Sequence, residues 1–144
     1  MRTIALRFSN NFAPEAGTIA EHQEIIDELG YVWYGKLGTA VSSAVIDQIL
    51  ENEELKILLI HSGSAGRYWA YIDAVQRDTP ESTAIPAYYR DMADKFNTWF
   101  RITRFEDAPK NILSQCIVSS SGATLSQASR HSMSPYFIID YVGE

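Results

Sequence analysis

The spacing of apolar residues switches repeatedly along this chain, and this limits the folds open to it more than any other feature. Apolar positions alternate with a period of two in residues 3–9 and recur at helical spacing in residues 18–30. Residues 31–37 are again β-prone and rich in aromatic side chains, and residues 42–54 carry a second helical stripe. This alternation predicts a mixed α/β fold built around one sheet.

The ends of both predicted helices carry recognisable signals. Thr18 is followed three residues later by Glu21, which matches a capping box, and Gly30 is placed to end the first helix. A serine opens the second helix. We therefore expect two short amphipathic helices with defined ends.

The second half of the chain contains three further strand-like regions. Residues 55–75 read as a hairpin, because two β-prone runs flank the glycine-containing turn at residues 62–66. Residues 98–105 and 136–142 are also typical of strands. The fold class is therefore α/β (α+β), with a curled mixed sheet or open barrel of about six strands flanked by helices.

Two regions are patterned less clearly. Residues 76–97 are polar, contain Pro80 and Pro86, and form the longest candidate loop; long loops in compact domains are often functional. Residues 111–135 are rich in serine and have no clear period.

The overall composition is that of a single cytoplasmic domain. A length of 144 residues suits one core, and no apolar run approaches the ~20 residues that span a bilayer. The start of the chain lacks the features of a signal peptide. Cys116 is the single cysteine, so neither an internal disulfide nor a cysteine-based zinc cluster is possible. A net charge of −6 argues against indiscriminate binding to nucleic acid, although it permits a local basic rim.

Motifs for catalysis, metals and cofactors are missing. The sequence contains neither a GxSxG elbow nor a glycine-rich phosphate loop. Its three histidines, His22, His61 and His131, do not have metal-ligand spacing, and the apolar neighbours of Cys116 indicate a buried thiol. We therefore expect no catalytic residues, no metal and no cofactor.

Three stretches, in this order along the chain, resemble the YTH domain and its EVE relatives in the PUA-like group. Residues 56–75 are similar to the YTH hairpin, in which an apolar strand, a short turn and an aromatic-containing strand follow one another. Residues 100–113 resemble the strand and Asp-x-Pro turn of that family, and residues 129–135 lie where YTH domains have a Ser-Arg-Asp stretch. The resemblance implies a domain of this type over residues 1–144.

The resemblance also implies a cage for a modified base. By position, Trp33 would form the first wall, with backbone groups of Tyr34 and Gly35 beside it. The family takes its second wall from the loop after the hairpin, where this chain has no tryptophan before Trp99. Tyr88 or Tyr89, or Trp69 from the neighbouring strand, would have to serve. Without the resemblance, the residues themselves favour a core position for both Trp33 and Trp69.

Candidate contacts to a nucleic-acid backbone are the basic and serine side chains of the second half, together with one lysine beside the aromatic strand. Arg130 matches a phosphate-binding position of the family, whereas the strand arginines are also compatible with solvated surface charges. The set consists of Lys36, Arg101, Arg104, Lys110, Arg130 and Ser132.

The function implied by the resemblance is non-catalytic reading of a methylated nucleobase, in DNA more than in RNA, by flipping the base into the cage. Similar prokaryotic modules begin modification-dependent restriction proteins and are fused to a nuclease or NTPase, so we expect this chain to be such an N-terminal module. A methylated-RNA reader is the first alternative. An ASCH-like enzyme would instead bring Lys36 into contact with a carboxylate, and a protein-interaction module would show an exposed apolar patch.

Overall fold

A computed structural model describes residues 1–8, 15–61, 66–132 and 134–142. The six strands and two helices expected from the sequence occur in the expected order, together with one further strand, one further helix and three 3₁₀ segments. The strands are β1 (Arg2–Phe8), β2 (Val32–Lys36), β3 (Lys56–His61), β4 (Arg67–Gln76), β5 (Thr98–Asp107), β6 (Cys116–Val118) and β7 (Tyr136–Tyr141). The helices are α1 (Thr18–Leu29), α2 (Ser43–Leu50) and α3 (Leu125–His131), and the 3₁₀ segments are Ser82–Ala84, Ala87–Lys95 and Ile112–Gln115.

The strands form one mixed sheet in the order β2-β5-β4-β3-β1-β7-β6. β1 and β3 pair in parallel, and the other five neighbouring pairs are antiparallel. The predicted mixed α+β fold is confirmed, with seven strands where the sequence indicated about six. The additional strand, β6, has three residues and lies in the region that showed no clear period.

The sheet curls until its β2 edge approaches β7, although four strands separate the two in the sheet order. The ammonium of Lys36 in β2 lies 4.5 Å from the ring centroid of Tyr136 in β7. We call the gap between β2 on one side and β1 and Pro135 on the other the seam. Side chains cross this gap, and the sheet remains an open barrel.

Three apolar clusters stabilise the sheet. The inner cluster fills the curl under α1 and α2, and Ile4, Tyr34 and Phe100 are among its buried members. A second cluster lies on the outer face of β1, β3, β4 and β7. The third, which we call the outer aromatic cluster, packs β2 and β5 against the segment 84–96 and consists of Trp33, Ala84, Ile85, Tyr89, Ala93, Phe96 and Trp99.

The helix ends follow the sequence signals in two of three places. The Gly30 N–H donates to the Ile26 carbonyl in a left-handed C-cap, as predicted. Ser42 caps α2 by accepting from the Val45 N–H at 3.3 Å. The predicted capping box at Thr18 is wrong, because Gly17 occupies the N-cap position and Thr18 is the first residue inside the helix.

Other sequence expectations are refined. The predicted long loop at residues 76–97 contains two of the 3₁₀ segments, and the second of them reaches the seam. β3 and β4 pair as the predicted hairpin, with Ile60 opposite Arg67, while its turn at residues 62–65 lies outside the described residues.

Among the described helices, none has both the length and the apolar character needed to cross a membrane.

Candidate functional site

A cavity of about 190 Å³ opens at the seam. Five parts of the chain meet there: the end of β1, the start of α1, the end of β2 with the following turn, the long 3₁₀ segment with Phe96, and Pro135 before β7. The lining residues are Leu6, Arg7, Phe8, Thr18, Tyr34, Gly35, Lys36, Leu37, Tyr88, Tyr89, Met92, Phe96 and Pro135. We call this cavity the seam pocket.

Aromatic rings form much of the pocket wall. The Tyr89 ring lies 4.8 Å from Phe96 in a tilted arrangement and 4.9 Å from Tyr88 edge to face. Tyr34 approaches Tyr89 edge to face, with 6.4 Å between the ring centroids. These separations are those of favourable aromatic pairs, so the rings hold one another in place.

The pocket hydroxyls are uncharged donors. Burial raises the pKa of Tyr34, Tyr88 and Tyr89, which keeps all three phenols protonated at neutral pH. The Tyr88 hydroxyl donates to Thr18 Oγ1 at 3.4 Å. Both residues of this contact line the pocket.

One cation, Lys36, is buried at the pocket edge. Its Nζ donates to the carbonyl of Leu37 at 2.9 Å and also to the carbonyl of Thr39, and it lies over the Tyr136 ring. Burial lowers the pKa of this lysine. Among the described carboxylates none forms an ion pair with Lys36, so the contact expected of an ASCH-like enzyme is not found there.

Gly35 allows an aromatic ring to pack directly on the β2 backbone. An ideal Cβ at this position would lie 2.6 Å from Phe96 Cγ and 3.0 Å from Trp99 Cζ3. The absence of a side chain therefore lets Phe96 reach β2 and line the pocket. This is close approach of a ring to backbone, a role that favours glycine.

His22 packs against two tyrosines of the pocket wall. Its ring lies 5.1 Å from Tyr34 and 5.0 Å from Tyr89, and its Nδ1–H donates to the Thr18 carbonyl at 2.8 Å. Burial lowers the pKa of His22 to about 4, so the imidazole is neutral. Its Nε2 has no hydrogen-bond partner in the described part of the chain. Sequence reasoning treated this histidine as isolated, since only the tertiary fold brings it beneath the two tyrosines.

The structure brings together some of the predicted cage residues. Tyr34, Gly35, Tyr88 and Tyr89 all line the seam pocket. Trp33 does not line it: the ring is 6% exposed and belongs to the outer aromatic cluster. Successive strand residues point to opposite faces, and β2 turns Tyr34 into the curl and Trp33 away from it.

Trp69 is also not a lining residue of the pocket. It is 2% exposed and packs in the second cluster, on the outer face of the sheet, where the Lys56 ammonium lies 4.5 Å from the centroid of its ring. The assignment of cage roles to Trp33 and Trp69 therefore has no support from their positions.

Two of the residues predicted to contact a nucleic-acid backbone lie on the outer face of the sheet. Arg101 pairs with Asp73 at 3.3 Å and lies 4.1 Å from the Tyr31 ring centroid. Arg104 pairs with Glu106 at 3.2 Å, and its guanidinium lies 3.8 Å from the Tyr71 ring centroid. Both guanidinium groups are thus partly neutralised by carboxylates. Neither arginine lines the seam pocket.

The other four residues predicted to contact a nucleic-acid backbone are spread more widely over the protein. Lys36 lies at the pocket, Arg130 is exposed at the end of α3, and Lys110 is exposed on the turn after β5. Ser132 is half-buried and accepts from the Ser134 N–H at 3.2 Å. Their roles in binding stay predictions.

Arg7 is a contributor that sequence reasoning missed. Its guanidinium donates to three backbone carbonyls, those of Ser129, Ser132 and Ser134, at 2.6–2.9 Å. These bonds fix the segment that leads to Pro135, a pocket wall. The strand pattern showed only that Arg7 alternates with Leu6 and Phe8, and gave no signal for its partners.

Metal and thiol chemistry find no site in the described residues. They contain no group of three or more His, Cys, Asp or Glu side chains placed to hold a metal ion. Cys116 is buried, and desolvation raises its thiol pKa to about 11, so it is an unreactive core residue.

A concave aromatic pocket with a few polar groups, at the open edge of a curled mixed sheet, is the arrangement of a ligand-binding module. The chain belongs to the PUA-like family, since the family model described as Pua-like matches residues 4–136. Domains of this family are generally binding modules, and many bind RNA or DNA. The resemblance to the PUA-like group is thereby confirmed, while the narrower YTH or EVE assignment stays a prediction. Searches of curated proteins and of solved structures return no match.

Proposed function

We propose that the seam pocket receives one base of a nucleic acid strand, and that the protein is a non-catalytic reader of a methylated base. The observation that carries this proposal is the wall of neutral aromatic side chains around a cavity of single-ring scale, in a chain of the PUA-like family. DNA is the favoured strand, and a methylated RNA would use the same pocket.

The size of the pocket supports a flat ligand. An apolar cavity of about 150 Å³ is enough to hold benzene. At about 190 Å³ the seam pocket suits one base, with the sugar and phosphate outside. Stacking on aromatic side chains contributes roughly 1–3 kcal/mol per base, which helps to offset the cost of taking the base out of its stack.

The polar groups of the pocket can bind the edge of a base, and its two cations, Arg7 and Lys36, already donate to backbone carbonyls. No Asp or Glu is among its described lining residues, and the tyrosine and threonine hydroxyls can each donate or accept. β2 is an edge strand, so its backbone groups facing the seam are available to a base. Met92 and Phe96 offer apolar surface for a methyl group, which yields a modest preference of about 1–3 kcal/mol.

The modest preference has a consequence for the whole protein. A reader with one small pocket gains specificity when it is linked to a second binding or catalytic unit. We propose that this domain acts as the sensing part of a modification-dependent restriction system, with a nuclease or NTPase as partner or fused domain.

The proposal is tested by titrating labelled oligonucleotides, methylated and unmodified, single- and double-stranded, with the parent protein and two variants. Tyr88→Ala removes a half-buried pocket ring, and Tyr71→Ala removes a half-buried ring on the outer face. We expect Tyr88→Ala to weaken binding of the preferred methylated strand roughly tenfold to a hundredfold, because it removes a stacking surface. Tyr71→Ala should leave that affinity nearly unchanged.

Two results would contradict the proposal. One is equal or absent binding of methylated and unmodified strands by the parent protein. The other is a loss of affinity in Tyr71→Ala that matches or exceeds the loss in Tyr88→Ala. Thermal unfolding of both variants serves as the control for folding.

A further inference from the structure

The turn after β2 is held in place by side chains from three different parts of the chain. The Lys36 ammonium binds the carbonyls of Leu37 and Thr39. The side-chain amide of Asn97 donates to the next carbonyl in the turn, that of Gly38. Backbone carbonyls that are fixed in this way leave the turn little freedom to move.

A third donor, Arg77, secures the far end of the turn. Arg77 donates from its two terminal nitrogens, to the Val41 carbonyl at 2.6 Å and to Thr98 Oγ1 at 3.0 Å. Thr98 lies opposite Lys36 in the β2–β5 pair. The turn is therefore tied to the sheet at both ends.

This fixed turn presents an apolar side chain at the mouth of the seam pocket. Leu37 lines the pocket and is nevertheless 42% exposed. Gly38 follows with a φ of 78°, and a Cβ there would meet nothing within 4 Å. The tip of the turn thus stands clear of the protein surface, with Leu37 between the pocket and open solvent.

Resting on the proposed function, we infer that Leu37 is the wedge that occupies the gap in a duplex when its neighbouring base turns into the seam pocket. Apolar side chains inserted between base steps are a common means of unstacking and kinking a duplex. A wedge must be apolar, rigidly mounted and adjacent to the receiving pocket, and Leu37 meets all three conditions. In a single strand there is no paired stack to open, so the side chain contributes there only as part of the pocket rim.

We expect Leu37→Ala to lower the affinity for a duplex much more than the affinity for a single strand. Binding of a methylated duplex should weaken roughly tenfold or more, because the cost of unstacking is no longer offset. Binding of the same strand without its complement should weaken much less than binding of the duplex, because there Leu37 contributes only its part of the pocket rim. A duplex with 2-aminopurine beside the methylated base reports unstacking as a rise in fluorescence, and the variant should lose most of that rise.

Two other exposed leucines provide matched controls. Leu29 on α1 is 44% exposed and Leu50 on α2 is 40% exposed, and neither lines the seam pocket. Leu29→Ala and Leu50→Ala should keep the affinity of the parent protein for both duplex and single strand. They control for loss of a surface leucine as such.

The outcomes separate this inference from the proposed function. If Leu37→Ala weakens duplex and single-strand binding equally, or weakens neither, Leu37 is not a wedge, although the pocket still binds the base. If the parent protein binds methylated and unmodified strands alike, or Tyr88→Ala has no effect, the proposed function fails and the wedge fails with it.

Discussion

Acidification from pH 6.5 to pH 4 is expected to remove about 3 kcal/mol of folding stability through His22 alone. Burial lowers the pKa of this histidine from 6.5 to about 4 in the folded protein. Above pH 6.5 the imidazole is neutral in both the folded and the unfolded chain, and its contribution is constant. Between the two pKa values only the unfolded chain takes up the proton, so stability falls as the pH falls.

Denaturant unfolding at several pH values measures this effect. The His22→Phe variant keeps a ring between Tyr34 and Tyr89 and removes the titrating group. Its free energy of unfolding should fall less steeply below pH 6.5 than that of the parent protein, by about 1.4 kcal/mol per pH unit. Replacement of the exposed His131 by glutamine is the control. If the free energy of unfolding has the same pH dependence in the parent and His22→Phe proteins, protonation of His22 does not cause the loss of stability.

Gly35→Ala is expected to destabilise the protein by about 1–3 kcal/mol, the range typical of overpacked cores. The new methyl group would lie 2.6 Å and 2.8 Å from Phe96 Cγ and Cδ2, in a position where all neighbours are buried. Phe96 has to move to accommodate it. Since Phe96 is a wall of the seam pocket, the affinity for a base should fall as well.

A double-mutant cycle tests whether that clash is the cause. In a Phe96→Ala background, two of the three closest atoms to the new methyl group are absent. Gly35→Ala should then cost less free energy of unfolding than it does in the parent protein. Equal costs in both backgrounds would mean that contact with Phe96 does not explain the effect.

Local patterns were enough to predict most of the elements of the fold. The switch between strand and helix spacing identified β1, α1, β2 and α2 in order, and Gly30 ended α1 as expected. β6 was missed, because a three-residue edge strand is too short to show a period. Thr18 was misread as a cap, because α1 begins one residue earlier than the capping signal indicated and places Gly17 at the N-cap.

The candidate site was predictable only in part, and the reason is geometric. Alternation in β2 established that Trp33 and Tyr34 face opposite ways, but which of them enters the curl depends on how the whole sheet closes. The seam itself is produced by strands far apart in sequence, through contacts such as that of Lys36 with Tyr136. His22 and Arg7 act through tertiary contacts of the same kind, for which no spacing rule exists.

Photocrosslinking shows directly whether a base enters the seam pocket. A methylated strand that binds the protein is prepared with a photoreactive halogenated base at the methylated position, and crosslinks are assigned to single residues by fragmentation mass spectrometry. We expect crosslinks to Tyr34, Tyr88 or Phe96, which line the pocket. Crosslinks confined to Tyr31 or Tyr71, beside the arginines of the outer face, would contradict it.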